Sequence, residues 1–68
     1  MIVYYYIMAK ADLDGTYNFT SRNGFTMTET KDNALCFLTS EEAYKCVAQL
    51  QEARPEWLFG ILRIVENN

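Results

Sequence analysis

Histidine is absent from the 68-residue chain, and with it go the Ser-His and Cys-His relays of nucleophilic catalysis and every His-containing zinc site. Three scattered glycines leave no room for a glycine-rich phosphate loop. Lys and Arg number six against nine carboxylates, a net charge of −3, so the clustered positive charge that phosphate-backbone binding requires is missing. Arg22, Lys31 and Arg63 are too few and too scattered to turn aromatic residues into a platform for single-stranded bases. Direct nucleic-acid binding is therefore not expected. Cys36 and Cys46 are the only cysteines. Each sits in an apolar run, where a free thiol behaves as a small buried hydrophobe, and without further ligands they define no metal site. No cofactor is expected. The apolar stretch from Ile2 to Ala9 is too short to span a membrane and has neither the basic flank nor the cleavage site of a secretory signal. A cytoplasmic protein is expected, with no membrane association, and the Asn18-Phe19-Thr20 sequon carries no weight there.

What remains is a chain that is half hydrophobic and 15% aromatic, the composition of a packed globule. Its length predicts a single domain over residues 1–68, near the lower limit for one hydrophobic core. Such a chain gains stability by oligomerising, so a homodimer is expected.

Ile2 to Lys10, with three consecutive tyrosines among Ile, Val and Met, reads as a central strand. Asp12-Leu13-Asp14-Gly15 supplies turn chemistry. It opens like a calcium loop, but the glycine comes two positions early and Asn23 stands where the terminal Glu should be. Thr16–Thr20 alternates as a half-buried strand, Asn23-Gly24 marks a hairpin, and Phe25–Thr28 resumes the alternation. Ala34–Leu38 reads as a short buried strand. Thr39 then caps a helix, with Glu42 positioned for a capping box and Glu41 and Glu42 suited to the positive end of the dipole. Ala43, Cys46, Val47, Leu50 and Ala53 recur at helical spacing, Pro55 ends the helix, and Trp57–Val65 forms a last strand. Glu66, Asn67 and Asn68 read as a frayed tail. The fold class is α+β: an antiparallel sheet of four to five strands with one amphipathic helix on one face, in the order β-β-β-β-α-β.

One helix covers one face. Period-two alternation puts Val3, Tyr5 and Ile7 toward the helix and Tyr4, Tyr6 and Met8 away from it. Arg63, taken as a mark of solvent, assigns Trp57, Phe59 and Ile61 to the outer side of the last strand, with Thr26 and Thr28 from the third. Tyr4, Tyr6, Trp57, Phe59 and Ile61 are thus expected together on an uncovered face, as a partner or dimer interface. Such patches mark interaction sites, and Tyr and Trp often anchor them.

The run Asn33-Ala34-Leu35-Cys36-Phe37-Leu38-Thr39-Ser40-Glu41-Glu42-Ala43, preceded by Asp14-Gly15-Thr16-Tyr17, resembles short phage-encoded accessory proteins, in which a strand ending in Phe enters a capped helix opening with paired Glu and Ala. The resemblance covers roughly half the chain and is a matter of pattern. It implies a phage or mobile-element origin and a bacterial host cell. Proteins of this size there often bind and block a host protein, anti-CRISPR proteins being one such group. No catalytic residues come with it.

The expected function is a non-enzymatic protein-binding module, in particular an inhibitor of a host defence nuclease that acts by covering a surface. Two alternatives stay open. One is a structural or regulatory protein whose aromatic face only forms its own dimer. The other is an acidic nucleic-acid mimic using Glu29, Asp32, Glu41 and Glu42.

Overall fold

The computed structural model describes residues 1–24 and 26–67. The strand expected first is present as β1 (Ile2–Lys10) and is the hub of the sheet. It is followed by β2 (Asn18–Thr20), β3 (Met27–Thr28), a 3-10 turn over Lys31–Asn33, β4 (Cys36–Phe37), helix α1 (Ser40–Ala53) and β5 (Leu58–Glu66). All pairings are antiparallel. The small α+β fold, five strands and one helix, is that read from the sequence.

β5 pairs with β1 along its whole length, from Ile2 opposite Glu66 to Lys10 opposite Leu58. One edge of β1 is thereby filled, so β2 and β4 share the other end to end, through Met8–Phe19 and Ala9–Asn18 at one end and Tyr5–Phe37 and Tyr6–Cys36 at the other. β3 adds to β2. Since β4 and β5 both run against β1, they are parallel to each other with β1 between them, and a parallel pair needs a crossover. Helix α1 is that crossover.

The minor strands are shorter than the alternation suggests. Asp12–Gly15 closes as a turn, with the Gly15 N–H donating to the Asp12 carbonyl at 3.0 Å, but pairing of β2 begins only at Asn18. The second turn is wider than a two-residue Asn-Gly hairpin. Ser21 N–H donates to the Thr26 carbonyl at 2.8 Å and Gly24 N–H to the Ser21 carbonyl at 2.9 Å. Gly24 takes the positive φ, 78°, that Asn-Gly was expected to supply. The third strand is confined to Met27–Thr28; Phe25, expected to open it, lies outside the described residues, as does Asn68 of the expected tail. Glu66 belongs to β5 rather than to a tail.

Thr39 caps α1 as expected, its Oγ1 accepting from the Glu42 N–H at 3.3 Å. The Glu42 carboxylate accepts from the Thr39 hydroxyl at 2.9 Å. The helix ends at Arg54, before Pro55. Ala43 is fully buried, and Cys46, Val47 and Leu50 are half-buried on the same stripe. Ala53, counted with them by spacing, is exposed in the final turn, where the chain leaves the helix.

The helix lies on the side of Val3, Tyr5, Ile7 and Ala9. Ile7, Ala9 and Thr20 are completely buried there, and Leu50 Cδ2 comes within 3.3 Å of where a Cβ on Gly24 would stand. Along β1, complete burial is confined to Ile7 and Ala9. Toward Val3 the cover runs out, and Arg63 and Val65 are exposed.

Candidate functional site

The uncovered face was expected to gather Tyr4, Tyr6, Trp57, Phe59 and Ile61, and the register divides them. Directly opposed residues of an antiparallel pair share a face. Tyr4 is opposite Ile64 and Tyr6 opposite Leu62, whereas Ile7 is opposite Ile61 and Ala9 opposite Phe59. Tyr4, Tyr6 and Met8 therefore lie on the helix-free face as expected, with Thr28 following through Phe19. Trp57, Phe59 and Ile61 belong to the helix side. The misleading residue is Arg63, which sits opposite Tyr5 on the helix side and reaches solvent because the helix does not extend over that end. An arginine marks water, and water here touches both faces.

Trp57, the expected anchor, is engaged within the chain at the end of the helix. Its ring lies 4.9 Å under the Arg54 guanidinium and 6.1 Å from Phe59. Its carbonyl accepts from Gln51 Nε2 at 2.9 Å. These contacts fix the connection between α1 and β5, and Trp57 and Phe59 are half-buried by it. Tyr6 is on the open face yet only 6% exposed, because Phe19 stands edge-on at 5.5 Å and Tyr4 at 6.1 Å. Burial pushes its phenol above the usual range, and the neighbouring Cys36 adds to the rise.

The residues that the helix-free face does present are different. Leu62 is 41% exposed, Ile2 38% and Tyr17 43%, with Tyr4, Met8 and Ile64 half-buried among them. Tyr17 stands outside β2 and lays its ring across Gly60, with atoms 3.8–3.9 Å from where a Cβ there would be. Lys10 Nζ lies 4.6 Å from the centre of that ring. Met8, Tyr17, Gly60, Ile61 and Leu62 line an open groove of about 340 Å³ beside the strand. Leu62 and Ile64 share a side by period two, and the side they take is decided by where β5 meets β1.

One ion pair frames the far end of this face. Lys31 Nζ donates to Glu66 Oε1 at 2.8 Å, and that hydrogen bond raises the lysine pKa. The acidic residues considered for a nucleic-acid mimic, Glu29, Asp32, Glu41 and Glu42, are all exposed. Two belong to the connector before β4 and two to the first turn of α1, where Glu42 is held by Thr39. Among the described residues no group of three or more Cys, Asp or Glu side chains gathers as a metal site. Among the described residues no helix is long and apolar enough to cross a membrane. Cys36 and Cys46 are free thiols, and burial raises the pKa of the second.

Compared with known proteins, the chain matches no protein-family model, no curated protein and no solved structure.

Proposed function

We propose that the chain is a non-enzymatic protein-binding module whose contact surface is the helix-free face of the sheet. The observation that carries this reading is the row of exposed Ile2, Tyr17 and Leu62 with half-buried Tyr4, Met8 and Ile64 between them. A solvated sheet face ordinarily turns polar side chains outward, and this one does not. An inhibitor of a host defence nuclease, the activity that the resemblance of residues 33–43 implies, would act through such a face by covering its target.

Ile2 and Tyr17 are 38% and 43% exposed on the helix-free face, so a double variant Ile2→Lys, Tyr17→Asp is expected to keep the fold. Immobilised on a sensor, the unaltered chain is expected to bind a component of host lysate. The double variant, native by circular dichroism, is expected to bind it at least about tenfold more weakly, as befits the loss of interface anchors. Equal binding by the two chains refutes the assignment of this face.

A further inference from the structure

The two sides of the sheet end in different ways. On the β4 side the border consists of two- and three-residue strands broken by turns, and very short edge strands are one means by which proteins prevent unwanted pairing. β5 is the opposite case. It has nine residues, no proline, and Arg63 and Glu66 as its only charges. Among the described residues no strand pairs with its outer side.

The free backbone groups can be named. Ile7 N–H donates to the Leu35 carbonyl at 3.1 Å, so the odd-numbered residues of β1 direct their backbone toward β4 and β2. Their partners in β5 are the non-hydrogen-bonded members of each β1–β5 pair, and therefore direct theirs outward. Phe59, Ile61, Arg63 and Val65 thus offer N–H and C=O groups to a further strand.

We infer that this edge pairs with β5 of a second copy, antiparallel and centred on Leu62, to make one continuous sheet across two chains. In that register the whole strand overlaps. Phe59 exchanges backbone hydrogen bonds with Val65 of the other copy, and Ile61 with Arg63. An aromatic residue then faces a β-branched one, a favourable cross-strand pair. On the helix-free face Leu62 meets its own symmetry mate, so the exposed Leu62 and Val65 are both covered. Ile64 arrives opposite Gly60, the side-chain-free position in the groove that Met8, Tyr17 and Leu62 also line.

Charge disfavours the neighbouring register. Centring on Arg63 instead would set two arginines directly against each other, which is destabilising. The pairing covers Leu62 and Ile64 of the helix-free face and leaves Ile2 exposed. Its test needs no foreign partner, so its failure is distinguishable from that of the proposed partner surface.

Sedimentation of the full chain is expected to show a dimer. Arg63→Pro removes an outward N–H without touching the β1–β5 ladder, and is expected to give a native-like monomer by sedimentation and circular dichroism. Register is read by Leu62→Cys in a chain carrying Cys36→Ser and Cys46→Ala. It should oxidise readily to a covalent dimer, because the non-hydrogen-bonded pair brings like residues closest, while Arg63→Cys in the same background should not. A chain monomeric up to about 1 mM overturns the inference, even if a foreign strand is found on the edge. So do a dimer that survives Arg63→Pro and a cross-link that forms faster at Arg63 than at Leu62.

Discussion

Among single residues, Thr20 holds the least comfortable group in the core. It is completely buried, as are Ile7 and Ala9, and its Oγ1 has no hydrogen-bond partner among the described residues. A buried hydroxyl without a partner forfeits its hydration and gains nothing in return. Threonine nevertheless suits the position by shape, since β-branching favours the strand. Valine keeps that shape and drops the hydroxyl. Thr20→Val is therefore expected to raise stability by about 1 kcal/mol, read as a higher urea midpoint with unchanged slope. A lower midpoint would mean that the hydroxyl is satisfied in solution.

At the level of elements, signals contained in a few neighbouring residues were the legible ones. Thr39 with Glu42, and Pro55 after the last turn, bound α1 to within a residue, because capping and proline sterics act locally. The sides of β1 were legible for the same reason, through its alternation. What alternation within a strand leaves open is which side of β5 joins which side of β1. That depends on a pairing between distant residues, from Lys10 with Leu58 to Ile2 with Glu66, and a one-residue change exchanges the faces. Glycines divide in a similar way. Gly24 is required by its turn: φ is 78°, and Leu50 would be 3.3 Å from an added Cβ. Gly60 lies in a strand and would meet only the Tyr17 ring at ordinary contact distance, 3.8 Å. Gly24→Ala should accordingly cost about 1–2 kcal/mol, through left-handed backbone strain. Gly60→Ala should cost under about 0.5 kcal/mol, a difference that thermal unfolding of the two variants resolves. Equal losses would contradict the turn geometry.

For the molecule as a whole, three groups bind their proton more tightly folded than unfolded: the Tyr6 phenol and Cys46 thiol through burial, and the Lys31 ammonium through its hydrogen bond to Glu66. For each, the stabilisation is fully present below the unfolded pKa and is lost as pH rises through the folded one. The contribution of these three groups should therefore be level up to about pH 8 and fall between about pH 9 and 11, where Cys, Tyr and Lys ordinarily titrate. Urea midpoints measured across that range check it, and a midpoint that rises there contradicts the sign. Lys31→Gln should remove only a small part of the fall, because the pair is exposed and screened. The central place of β1 also fixes the order in which the protein can come into being. Its longest ladder is with β5, joining Ile2 to Glu66, so β1 leaves the ribosome well before its main partner. At about 5–20 residues per second, synthesis leaves the β5-facing edge of tyrosine-rich β1 unpaired for seconds. Ladders closed between distant segments also form slowly, on the order of milliseconds to seconds. The newborn chain is thus a ready client for chaperones, and a chain cut between α1 and β5 has no route to the native sheet.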